Sequence, residues 1–526
     1  MCLGYAGPSK EVTVNASASR QLFDLPEKAD ERRALDFFAS CAAANLSGWL
    51  EEGFWYRTVL QLSHGQPAIR HALIALSSAY EQASSSQPMG KAPILLHYNR
   101  AIQHLYQQKS GSAQSALIHL SSCLLFTCLE FVHGDSKSAM AHVVSGLHIL
   151  RAFKDHFDNG PNHHHPDIQT IHDDLAPIFC RLSIFSNLIG EVTPVIHLKS
   201  TDTDDLSRFT SLSEARDGLT DLMNDGMRFV WSITPAKYTG TLSTADIIRQ
   251  VRLELLTSKW YRRFSLLRSH LTSSSPPAPP HSAQTIEQGL AILETHFYMA
   301  HTFTALLTSN TECAWDPHFA EFAKIVSVAE DLIVAQKRGR NGNETFSFEA
   351  ELVSPLYLTA LKCRHPRLRR RAVALLERLR RREGVIDSRR AARVARAIIK
   401  IEEGGEEGLH GGGEGDAVPL LPAERRRVQF FFEPESVVPD QHRHDNAALQ
   451  AAQFGAGESR GPCSIAYKTC EGMFLKTRLE EGGPGEAVDM QSSRGGGGGG
   501  GSGAPDGAFG GYKEFDIAAT RFSQRL

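Results

Sequence analysis

The sequence has no Cys-x-x-Cys pair, no charged-then-apolar leader and no marked excess of either charge. Each absence excludes something. The nine cysteines (Cys2, Cys41, Cys123, Cys128, Cys180, Cys313, Cys363, Cys463 and Cys470) are odd in number and scattered. They therefore neither staple a small secreted fold nor complete a zinc site, and they fit a reducing compartment. A net charge of −3 gives no global basic footprint for nucleic acid. The longest apolar stretch, Cys123 to Val132, is interrupted by Glu130 and is too short to span a bilayer. No His-Glu-x-x-His, phosphate-binding lysine loop or isolated dinucleotide glycine fingerprint occurs, so no enzyme class is indicated. These exclusions predict an intracellular, soluble chain that is not an enzyme and has no membrane partner.

What the chain does have is helical spacing. Ala34, Phe37, Phe38 and Cys41 recur at three- and four-residue intervals, and Ile69, Ala72, Leu76 and Tyr80 repeat the pattern behind Pro67. Pro93 again fits a first helical turn, as do Pro355 and Pro366. Leu117, Leu120, Leu124, Cys128 and Phe131 form one face, and Met140, Val143, Leu147 and Leu150 another. The short link His133-Gly134-Asp135, with Asp135 as N-cap, predicts an antiparallel helix pair. Helical signal from Ile168 to Ile189 is interrupted near Pro177. The Ser-Pro loop 273–283 is expected to separate two helical lobes, with Thr285 and Gln288 forming a capping box after it. Period-2 alternation is absent from this region, which argues against a large sheet.

The expected fold is therefore all-α, an irregular multi-helix array of antiparallel helix pairs, with a disordered Gly-rich C-terminal tail. Residues 1–29 read as a linker, 30–403 as the helical body and 404–526 as a low-complexity tail that cannot offset its chain entropy. Within that tail Val428 to Phe432 is a short apolar patch, and the tail as a whole, this patch included, is expected to stay mostly disordered rather than dock on the body.

Three motifs have plain explanations. Gly457-Glu458-Ser459-Arg460-Gly461 matches a hydrolase nucleophile elbow but lacks the strand that must precede one. His163-His164-His165 sits in a Pro-flanked loop, where adjacent side chains diverge rather than converge on a metal. The basic run from Lys362 to Lys400 includes Arg369, Arg370, Arg371, Arg380, Arg381 and Arg382. With Leu368, Ala372, Leu375 and Leu379 as the buried stripe, these arginines read as a solvated helix face. Their density also suits nuclear import or contact with a polyanion.

Several blocks, in order, carry a resemblance: Glu31 to Phe38, Phe54-Trp55 with Val59 to His64, Pro67 to Leu76, Tyr98 to Ile102, Leu124 to Phe131, and Gly146 to Leu150. Pro355-Leu356-Tyr357, Lys362 to Pro366 and Arg382-Glu383-Gly384 continue it. Together they resemble the regulatory domain of fungal zinc-cluster transcription factors over about Asp30 to Glu403. In that family an N-terminal module holds two zinc ions on six cysteines, and its last cysteine is often followed by x-Gly-Tyr. Cys2-Leu3-Gly4-Tyr5 resembles that ending, but the other five cysteines are missing.

The resemblance implies a nuclear regulatory domain controlling RNA polymerase II transcription. Its implied partners are coactivators or repressors and a second copy of the chain, with DNA reached only through the missing module. It implies no cofactor in this chain, and zinc only where an upstream cluster is present; Cys2 is then an orphan of that cluster. Five further cysteines encoded in frame upstream of Met1 are the corresponding expectation. The alternative is a free-standing helical scaffold or ligand-binding protein without DNA-binding activity.

Overall fold

A computed structural model describes residues 29–48, 53–84, 92–108, 111–157, 165–188, 193–198, 207–273, 280–336, 345–348, 350–403, 421–432, 464–469 and 474–478. The linker at 1–28, the serine-centred motif at 457–461, His163, His164 and most of the tail lie outside the described residues.

Helix α1 (Ala29–Phe37) passes through a π-helical turn, Phe38–Ala42, into α2 (Ala43–Leu46). The extra residue of that turn rotates the apolar face, so Ala42 is buried and Cys41 exposed, where simple helical spacing had placed Cys41 inside. A second π turn, Phe54–Thr58, leads into α3 (Val59–Gly65). Pro67 opens α4 (Pro67–Ser84), and Pro93 lies in the first turn of α5 (Ala92–Tyr106).

Helix α6 (Ala113–His133) stops at Gly134, whose φ of 85° few other residues tolerate. Asp135 then caps α7 (Ser136–Phe157) by accepting the Ser138 N–H at 2.9 Å. The two helices are the predicted antiparallel pair. By length and composition α6 alone among the described helices could cross a membrane, but 72% of its most apolar window is buried inside the protein.

Helix α8 (Pro166–Thr170) continues through a third π turn, Ile171–Leu175, into α9 (Ala176–Leu188). The interruption expected at Pro177 is thus a change of hydrogen-bond register just before a residue that has no N–H to give. Helices α10 (Leu212–Thr239), α11 (Thr244–Ser273) and α12 (Pro280–Ala305) are the longest. Because α12 starts at Pro280, Thr285 lies inside it, and the predicted capping box does not begin this helix.

A 3₁₀ turn, Glu312–His318, precedes α13 (Phe319–Gln336), followed by β1 (Thr345–Ser347), α14 (Val353–Lys362) and α15 (Pro366–Leu379). Strands β2 (Arg381–Glu383) and β3 (Ile386–Asp387) form a hairpin before α16 (Ser388–Glu403), and β1 pairs in parallel with β2. A separate antiparallel sheet joins β4 (Val428–Phe432), β5 (Ser464–Thr469) and β6 (Phe474–Arg478).

The loop at 273–283 does not divide the body into two lobes. Helices on its two sides share a small core around Trp260, Phe264 and Phe297. The principal core joins α1–α9 to α13–α16, with Ile292 of α12 reaching into it. Apolar faces of early and late helices find each other in space, and sequence separation does not record that.

Candidate effector cavity

Helices α9, α10, α12 and α14 do not close completely on one another. They leave a cavity of about 300 Å³. Its wall is apolar and pliant: Phe185 from α9, Met223 and Met227 one turn apart on α10, Met299 and Phe303 on α12, and Leu358 and Leu361 on α14. Three of the eight methionines in the chain line it, and unbranched thioether side chains adapt to an irregular occupant.

Polar groups are few and fixed. His296 from α12 is half-buried, and loss of water around its imidazole pushes it down to about 4, so the ring is neutral near pH 7. One ring nitrogen, Nε2, lies 2.8 Å from the Glu351 carbonyl oxygen. A carbonyl only accepts, so Nε2 carries the proton and Nδ1 is left as an acceptor. Ser354 on α14 and Thr220 on α10 add hydroxyls to the wall; that of Thr220 donates to the Arg216 carbonyl at 2.9 Å. Arg181 and Arg216 reach one end, where their guanidiniums lie 3.7 and 4.0 Å from the carboxylate of Asp217.

Two polar seams hold the wall in place. Asn224 on α10 donates to the Cys180 carbonyl at 2.7 Å and accepts from Ser183 at 2.9 Å and Asn187 at 2.8 Å, fastening α10 to α9. On the other side the buried Glu383 carboxylate accepts the backbone N–H groups of Glu351 and Val353, at 2.7 and 3.0 Å, at the start of α14. A negative group is favourable at a helix N-terminus. Arg381 steadies that corner with a 2.7 Å ion pair to Glu351. Of these positions only Arg381, in the basic run, and Glu383, in the block Arg382-Glu383-Gly384, stand out in the sequence, and neither for a place beside a cavity.

Apart from Arg381, the arginines singled out from the sequence lie elsewhere, and the six do not form one solvated face. Arg369 is wholly buried and pairs with Glu402 at 2.8 Å, and Arg381, the first residue of β2, is also buried. Arg370 pairs with Glu403, and Arg371 donates to Glu330 at 3.1 Å. Arg382 donates to the Ser136 hydroxyl at 2.7 Å. Arg380 is exposed and ends α15 at a φ of 45°. Acidic residues distant in sequence supply these partners, so the excess positive charge read along the segment is largely neutralised in space. The buried stripe Leu368, Ala372 and Leu375 lies where the periodicity puts it.

Cys2 lies outside the described residues. Among the described residues no cysteine joins a group of metal-ligating side chains, so these residues do not fit a six-cysteine zinc cluster. His165 caps α8 by accepting the Asp167 N–H at 3.3 Å.

The fold is an α-helical body whose helices leave a small, mostly apolar cavity. The chain belongs to the fungal specific transcription factor domain family, whose model matches residues 33–400. It is the regulatory domain of a fungal transcription factor. It is similar to the aspercryptin biosynthesis cluster-specific transcription regulator of Emericella nidulans, 26% identical over 326 residues that cover 58% of this chain and 50% of that protein. The chain thus matches about half the length of that curated relative. No solved structure matches the chain.

Proposed function

We propose that this regulatory domain works in the nucleus as a ligand-responsive, non-enzymatic switch on RNA polymerase II transcription. The cavity carries the reading: four helices converge on an apolar space with one fixed acceptor, His296 Nδ1, which is a small-molecule site in outline. An occupant that binds one arrangement of α9, α10, α12 and α14 better than another shifts the domain between states. Coactivators or repressors, or a second copy of the chain, then read those states. DNA contact belongs to a zinc-cluster module whose other five cysteines this sequence does not contain. Similarity to a cluster-specific regulator supports control of a small gene set.

The test fuses the chain to a heterologous DNA-binding module beside a reporter gene. Ala300→Phe fills the cavity from α12, and should fix reporter output at one level whatever the growth condition, while circular dichroism stays helical. Output indistinguishable from wild type in every condition would remove the cavity from the mechanism. A wild-type fusion that never alters the reporter favours the free-standing ligand-binding protein instead.

A further inference from the structure

We propose that His301, His318 and Glu321 form a site for a divalent transition-metal ion of the zinc class, clamping the end of α12 to the start of α13. Their donor atoms all lie within 4.8 Å of one another. Tetrahedral zinc with bonds of about 2.0–2.1 Å needs donors about 3.3 Å apart, a closure that small side-chain rotations supply. His318 Nδ1 is already 3.8 Å from Glu321 Oε1, one helical turn along. The His301 ring stands at 75° to that of His318, with centroids 6.4 Å apart.

Two further observations point to a cation. His301 Nδ1 is buried without a hydrogen-bond partner, a costly condition for a ring nitrogen that coordination can relieve. The ionisable groups acting on His301 are Glu321, Glu254 and His318, two carboxylates and an imidazole, with no lysine or arginine among them. Two imidazoles and a carboxylate suit zinc, cobalt or nickel better than the hard, oxygen-seeking magnesium or calcium. Three protein ligands leave a fourth position for water. The site differs in chemistry and place from a thiolate cluster, and it is independent of what fills the cavity, although α12 contributes to both.

The experiment uses the full chain, stripped with EDTA, desalted, and titrated with zinc chloride by calorimetry. Cobalt(II) absorption supplies a second readout. One equivalent of zinc should bind at micromolar concentration, and cobalt should give tetrahedral ligand-field bands without a thiolate charge-transfer band. Both His318→Ala and the near-isosteric Glu321→Gln should weaken binding at least tenfold. A triple replacement of His163, His164 and His165 by Ala, and separately Cys2→Ser, should leave it unchanged. Absence of any binding by the wild-type chain overturns the proposal. So does a thiolate band, or binding that survives both site variants and disappears with the loop histidines.

Discussion

At Glu402 one fully buried carboxylate meets Arg364 at 3.1 Å, Arg369 at 2.8 Å and the Val428 N–H at 2.9 Å. Burial alone would push this carboxyl up, but Arg364 and Arg369 outweigh it and hold it below the ordinary range. Glu402→Gln should therefore cost about 3–5 kcal/mol, because it strands buried guanidiniums. Urea unfolding at neutral pH measures that loss. Glu330→Gln, at the half-exposed partner of Arg371, should stay within about 1 kcal/mol. The sign with pH follows from the depressed folded value. The Glu402 contribution is complete above the unfolded carboxyl range near pH ~4.3 and is lost as pH falls through the folded value.

His296 works in the same direction by a different route. Its folded value near 4 lies below the ordinary 6.5, so the unfolded chain takes up its proton first and stability declines as pH falls from 6.5 toward 4. A variant lacking the imidazole, His296→Asn, should show a flatter stability profile across that window. These pairings also change how import must be tested. Replacing Arg369 probes folding, whereas the exposed Arg380 and the surface pair of Arg371 can report on nuclear accumulation of a reporter fusion.

Among the elements, α7 and α9 touch where Gly146 meets Phe179. A β-carbon at 146 would sit 2.1 Å from that ring. Gly146→Ala should gain up to about 1 kcal/mol of helix propensity and lose about 1–3 kcal/mol to overpacking. Thermal unfolding should show the net destabilisation, partly restored by Phe179→Leu, which makes room.

The other informative element is Leu421–Phe432. Arg427 forms a bidentate pair with Asp316, both distances 2.9 Å, and Glu424 accepts the Glu312 N–H and the Thr311 hydroxyl. Val428 is only 2% exposed. This segment therefore covers the 3₁₀ turn and α16. A chain ending at residue 420 should unfold at lower temperature than one ending at 432, and Arg427→Ala in the full chain should reproduce part of the difference. Equal midpoints would show that the contact adds nothing. Apolar content alone does not announce this contact: the sequence places 428–432 in a tail expected to be mostly disordered, and the anchors are charged residues with no periodicity.

For the whole molecule, a net charge of −3 gives little electrostatic attraction for phosphates, and the described cysteines make no cluster. The purified chain should show no sequence-specific DNA binding at physiological salt in fluorescence anisotropy. Tight binding to any one operator would place a DNA-reading surface within the chain itself.

Helices were legible because their causes are local. Pro67 and Pro366 start helices, Gly134 and Asp135 end one and begin another, and the spacing from Leu117 to Phe131 is itself the buried face of α6. The ordered family blocks were legible for the same reason, since each is a short run with its own side-chain requirements. Tertiary structure alone decided which distant faces share a core, that α11 and α12 pack across the Ser-Pro loop, and that four helices leave a cavity around His296. It also decided that Arg369 and Arg381 are buried ion-pair partners rather than a solvated stripe. Charge pairing and cavity formation depend on residues tens to hundreds of positions apart meeting in space, and helical spacing records only the next few turns.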